Sequence, residues 1–239
     1  MTAAVLLAAA LAAAGPAYTV EGARTGRAVL LGPVDAAWGN AERIAWGPEA
    51  YETAFRALWD ATGLYVRFDA RDPDPWSTMT KRDEWLWQEE VVEIFLDLDR
   101  SGVNYAEVEI SPANVICDVR MVSPSPKKES DYSWNLEGIE SRVHLRRDAQ
   151  GKTTGWTAVA FLPWSGFRSL SPAATAKLPP KPGDRWRFNV FRLERPHGKA
   201  DPEKDLVAAA WSPTGEPSFH VPAAFRDFVY GGRDRVGGR

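Results

Sequence analysis

Residues 91–97 and 105–110 largely alternate between apolar and polar side chains, with Phe95 the apolar member of the polar parity, and the turn-forming run Asp99-Arg100-Ser101-Gly102 lies between them. A period of two sends successive side chains to opposite faces, so the pair reads as a β-hairpin rather than as helix. Val92, Ile94 and Leu96 share one face with Ala106, Val108 and Ile110. Glu93, Phe95, Asp97, Tyr105, Glu107 and Glu109 share the other, which is expected to be the outer, solvated one. Residues 64–69, 156–162 and 186–192 repeat the pattern, and 115–122, 139–145 and 211–212 are shorter candidates. Asp148-Ala149-Gln150-Gly151 and Lys181-Pro182-Gly183-Asp184 supply further turns. Many short strands between such turns predict an all-β, antiparallel β-sandwich of immunoglobulin or jelly-roll type with a few short helical turns. Residues 163–167 fit one such turn. The proline-rich stretch 171–182 reads as a surface loop, and the Gly/Arg-rich stretch 231–239 as a frayed end.

No linker divides the chain, and 239 residues suit one sandwich domain. The apolar Ala/Leu run at 5–14, followed by Gly15-Pro16-Ala17, reads as a signal peptide over residues 1–17, although no basic residue precedes it. The run is too short and too alanine-rich for a membrane span. The mature domain is therefore expected over 18–239, outside the cytoplasm in the periplasm or the extracellular space. Cys117 is the lone cysteine, so no intrachain disulfide and no cysteine metal motif can form. A net charge of −3 gives no electrostatic case for nucleic acid or an anionic membrane.

Eleven tryptophans are more than a core of this size usually takes, which predicts that some are presented to a ligand. An indole face is large and electron-rich, and it suits the apolar C–H face of a sugar ring. Sugar hydroxyls both donate and accept, and are met by Asn, Arg and carboxylates. The chain supplies these parts: Trp76, Trp85 and Trp87 in one loop, Glu93 on the strand after it, Asn189 and Arg192 on a later strand, and Trp211 near the C-terminus.

Four segments taken together carry a family resemblance. They are Leu58-Trp59-Asp60-Ala61-Thr62-Gly63-Leu64-Tyr65-Val66, Val91-Val92-Glu93-Ile94-Phe95-Leu96-Asp97, residues 183–192, and Trp211-Ser212-Pro213 with Phe219-His220-Val221-Pro222. In this order the chain resembles the family 9 carbohydrate-binding modules of the wider DOMON-like superfamily over roughly residues 25–230. The resemblance implies a sandwich that binds an oligo- or polysaccharide without catalysis, with two tryptophans clamping a terminal sugar and calcium stabilising the fold. It implies one clamp residue in the loop before the Val-Val-Glu strand, where Trp76, Trp85 and Trp87 are all candidates and Trp87 sits nearest the strand, and Trp211 as the other. Sugar-binding relatives use an arginine on the strand after the Val-Glu strand, where this chain has Glu107 and Glu109 instead.

Other readings start from the same residues. A glycoside hydrolase would use Glu93 with Glu107 or Glu109 as its carboxylate pair. A haem domain would draw axial ligands from Met79, Met121, His144, His197 and His220. A Trp-rich face could equally serve a structural or protein-binding role. Calcium is the candidate ion, given Asp69, Asp72, Asp74, Asp83, Asp97 and Asp99, but no EF-hand spacing is present and no ligand set follows.

Overall fold

The computed structural model describes residues 17–124, 126–175 and 177–232. The expected leader, apart from Ala17, lies outside the described residues, as does 233–239 of the expected frayed end. Thirteen strands are present among them: β1 (Tyr18–Gly22), β2 (Ile44–Trp46), β3 (Thr53–Trp59), β4 (Gly63–Arg71), β5 (Val91–Asp97), β6 (Tyr105–Ile110), β7 (Ile116–Ser123), β8 (Glu129–Asp131), β9 (Glu140–Arg147), β10 (Thr153–Pro163), β11 (Arg185–Glu194), β12 (Val207–Ala210) and β13 (Arg226–Tyr230).

They form two layers. The first runs β8-β7-β6-β5-β11-β13, with β12 also on β11, and the second runs β3-β4-β10-β9, with β2 also on β3. β1 pairs with β13 in one layer and with β3 in the other, parallel to both, whereas the other ladders are antiparallel. The inward parity of both layers meets in one core. Val92, Ile94, Leu96, Phe188 and Phe228 come from the first layer, and Phe55, Val66, Phe68, Trp156 and Leu162 from the second. Tyr18 sits at the seam, with its ring 5.5–5.6 Å from those of Phe55, Phe188 and Phe228.

The strands expected from alternation are observed, and most run longer at one or both ends. Residues 211–212 are not a strand, because β12 ends just before them at Ala210. The stretch 171–182 is not only surface loop: Pro172–Thr175 forms a helical turn that buries Ala174. The outer face of the hairpin is also not solvated. Phe95, Tyr105, Cys117, Val119, Met121, Phe191 and Phe225 form a second apolar cluster there, and Glu93, Glu107 and Glu109 are only 2%, 6% and 1% exposed.

The Tyr18 hydroxyl accepts a hydrogen bond from the Ala57 N–H at 2.6 Å and donates one to the Glu42 carbonyl at 2.7 Å. Removing it leaves a buried donor without a partner. Tyr18→Phe should therefore lower stability by about 1–3 kcal/mol, read as an earlier urea midpoint; an unchanged midpoint would contradict the role given to β1.

Candidate carbohydrate-binding face

The tryptophans sort by burial. Trp38, Trp46, Trp59, Trp134, Trp156, Trp164 and Trp186 belong to the core, and Trp76 and Trp211 are half-buried. Trp85 and Trp87 are 55% and 41% exposed. Their rings lie 6.1 Å apart between centroids and 23° from parallel. A sugar held between two aromatic faces needs two carbon contacts in series, about 7–8 Å. The pair is therefore too close to clamp a ring and instead forms one broad indole platform.

Local chemistry holds the platform in place. Leu86, between the two tryptophans in sequence, is buried in the outer apolar cluster, so Trp85, which caps the 3-10 turn Leu86–Gln88, and Trp87 on it turn outward. The Glu89 carboxylate accepts from the Ser77 hydroxyl, from the Thr78 N–H at 2.7 Å and hydroxyl, and from the Met79 N–H. Arg195, almost fully buried, donates to the carbonyls of Glu89 and Trp87 at 3.2 and 3.1 Å. Trp76 donates its indole N–H to the Arg195 carbonyl at 3.1 Å.

On the outward face of the first layer, register sets Phe191, Glu93, Glu109 and Cys117 in one row and Asn189, Phe95, Glu107 and Val119 in the next. Tyr132 links this patch to the platform. Burial, then Glu107 and Glu109, push its hydroxyl up to about 12, while the Trp87 indole acts in the opposite direction. The exposed Lys128 ammonium is the described cation that acts on all three glutamates. Beside them Tyr105 hydrogen-bonds His220 Nδ1 at 3.0 Å, and burial lowers that imidazole to about 3, so it is neutral. Phe219 stacks on Phe191 at 4.3 Å.

Sequence reasoning grouped residues that the structure separates. Trp85, Trp87 and Glu93 belong to this face. Trp211 does not oppose Trp87: it packs on Phe188, at 5.1 Å, against the inter-sheet core. Asn189 is fully buried and brackets Ser212, donating to its carbonyl at 2.8 Å and accepting from its N–H at 3.0 Å. Arg192 has inward parity, is fully buried and pairs with Asp72 at 3.0 Å and with Glu194. Neither side chain is open to a ligand. Tyr132 and Lys128 were not singled out, because neither lies on an alternating strand or in a Trp cluster. Phe219 stood in the Phe219-His220-Val221-Pro222 segment of the resemblance without a site role.

Asp72, Glu90 and Glu194 form the group dense enough for a metal among the described residues, with ligand oxygens within 4.8 Å of one another. Arg192 already stands among them and supplies the positive charge that a divalent cation would bring, so the group does not fit calcium. Four of the other acidic candidates are engaged elsewhere. Asp69 pairs with Arg67, Asp83 accepts from the Asp118 N–H, Asp97 from the Gly102 N–H and Asp99 from the Ser101 N–H. The histidines are committed too: His144 to the Leu31 carbonyl and His197 to Asp205.

Burial is the main cause that holds Glu93 and Glu109 well above the usual glutamate value of 4.5, and neighbouring carboxylates add to it. Burial pushes Glu107 up to about 7. The folded protein thus keeps protons that the unfolded chain releases near 4.5, and stability falls as pH rises through that window. Asp97, raised to about 6 chiefly by burial, acts in the same direction. The melting temperature should fall between about pH 5 and pH 7.5, and Glu109→Gln should flatten the slope. A profile that is flat in the native protein, or equally steep in the variant, would contradict this.

Comparison with known proteins agrees with the architecture. A family model described as carbohydrate family 9 binding domain-like matches residues 31–221. An extracellular protein of Arthroderma benhamiae is 26% identical over 193 residues, which are 75% of this chain and 78% of that protein. A family 9 carbohydrate-binding module from Caldicellulosiruptor kristjanssonii, solved with cellotriose, superposes with a TM-score of 0.63 at 18% identity, over 94% of this chain and 98% of that one. Its glucose complex gives 0.59 at 17% identity, over 91% and 97%. The matched span covers most of the chain, and the two-layer fold agrees with it: the chain belongs to the carbohydrate family 9 binding domain-like family.

Proposed function

We propose that the protein is an exported, non-catalytic carbohydrate receptor that stacks a sugar on the Trp85–Trp87 platform. The carrying observation is the pair of nearly parallel, solvent-exposed indoles on a rigidly tied loop. Such a pair offers apolar area without an ordering cost on binding. Tyr132 supplies a polar partner beside it. Family membership supports the reading, as do the structural neighbours solved with cellotriose and glucose.

Burial supports binding over hydrolysis. A glycosidase presents two carboxyl groups to opposite sides of the scissile bond, about 5–10 Å apart. Here the glutamates are 1–6% exposed on a single sheet face. Export is supported by the extracellular relative and by the leader-like residues 1–17. Among the described residues no helix is long and apolar enough to cross a membrane.

Trp87→Ala should weaken cellotriose binding at least tenfold, about 1.4 kcal/mol, in titration calorimetry, with the circular dichroism spectrum unchanged. Trp211→Phe should bind as the native protein does. Equal affinity of Trp87→Ala and the native protein would remove the platform from the site.

A further inference from the structure

The outward parity of the second layer is rich in arginine, although the chain as a whole carries a net charge of −3. Register sets Arg56, Arg67, Val159 and Arg142 in one row, Ala54, Asp69, Thr157 and His144 in the next, and Arg71, Gly155 and Arg146 in the third. A cavity of about 440 Å³ opens over these rows, a size that suits a small ligand. Its charged lining is Arg43, Arg56, Arg67, Arg146, Asp35 and Asp69. This face lies on the opposite side of the sandwich from the Trp85–Trp87 platform.

Two of the four guanidiniums are matched by carboxylates. Asp69 accepts from Arg67 Nε and Nη2 at 2.9 and 2.8 Å, and from the Thr157 hydroxyl at 2.8 Å. Asp35, on the 3-10 turn Asp35–Trp38, accepts from Arg56 and lies 3.2 Å from Arg67 Nη2. The other two are not matched in this way. Arg43 pairs with Glu52 at 3.3 Å, but the two side chains are 47% and 39% exposed, so solvent screens the pair. Arg146 crosses Gly155, where a Cβ would fall 2.5 Å from its Nη2, and donates to the Ala70 carbonyl at 2.6 Å. That acceptor is uncharged, and Arg146 has no ion pair among the described residues.

Donors exceed acceptors throughout the group. Arg146 Nε and Arg67 Nη1 are buried without an acceptor. These two atoms are sealed from solvent, and the edges that a ligand meets are those of Arg43, Arg56 and Arg146, which keep some exposure. Burial lowers the Arg146 guanidinium from its usual value, Asp69 opposes this, and Arg67, Arg71 and Arg43 add to it. A cation would be repelled here, and a neutral hydroxyl would leave the crowded charge uncompensated. An anion offsets it, and the planar fork of arginine matches paired oxygens.

We infer that this cavity binds an oxyanion, a carboxylate, sulfate or phosphate group, held by Arg43 and Arg146. The inference stands on the cavity's own residues and not on the proposed function.

Calorimetric titration of the full chain at low ionic strength tests it, with galacturonate, sulfate and phosphate as probes. The native protein should bind at least one of them, and Trp87→Ala should bind it equally well. Preference for galacturonate marks a carboxylate on a sugar ring as the occupant, and preference for sulfate or phosphate marks a free inorganic anion. Arg43→Gln, at an exposed side chain, and Arg146→Lys, which keeps the charge and loses the fork, should each weaken binding about tenfold. Arg142→Gln removes a charge from the same face but outside this cavity, and should change affinity less than about twofold. No binding of any probe, binding unchanged in Arg43→Gln and Arg146→Lys, or equal weakening by all three substitutions overturns the site. So does loss of anion binding in Trp87→Ala. Each of these results leaves the cellotriose test of the platform as it stands.

Discussion

Alternation along the strands of the first layer commits one parity to the inter-sheet core, and the other parity then has to be accommodated on the outward face. In β5 and β6 that outward parity holds Phe95 and Tyr105 beside Glu93, Glu107 and Glu109. The rings attract cover from Phe191, Phe225 and the buried Leu86, and the carboxyl groups are enclosed with them. The cost of charging a carboxyl in such a setting explains why burial comes first among the causes raising each of the three. The 3-10 turn that contributes Leu86 to this cover also carries the exposed tryptophans, so the platform and the acidic patch share one packing unit.

Rigidity of the approach loop follows from polar bonds rather than from apolar packing. Glu89 gathers donors from three successive residues, Ser77 to Met79, and Arg195 ties the carbonyls of Glu89 and Trp87 to β11's end. Each buried charge in this network is matched by several partners, the condition under which buried ions stabilise a particular geometry. Trp76 and Trp87 both connect to Arg195.

Much of the layer structure was legible in the sequence because period-two runs such as Val91–Asp97 state both strand and face. β1 was not, since its five residues lie beside the expected leader and gain meaning only from pairing with both layers. The candidate site was half legible. Trp85 and Trp87 stand out as tryptophans in a polar loop, and their exposure follows from Leu86 being the buried member of the triplet. Arg192 and Asn189 were misplaced because strand parity fixes a face but not what covers it. Arg192 faces inward onto Asp72 and Glu194, while Asn189 faces outward and serves Ser212 of the neighbouring segment. Trp211 could not be assigned to a side without the position of Phe188. Tyr132 and Lys128 reach the patch from the β7–β8 connection and its flank, a tertiary relation that no local pattern encodes.

The central claim is that the outward indole platform, and not the inward tryptophans, meets the sugar. Indole N–H resonances in a ¹⁵N-labelled sample titrated with cellotriose test it most directly. The account predicts that the Trp85 and Trp87 signals shift progressively and saturate while those of Trp211 and the core tryptophans hold still. Shifts led by Trp211, with Trp85 and Trp87 stationary, would contradict it.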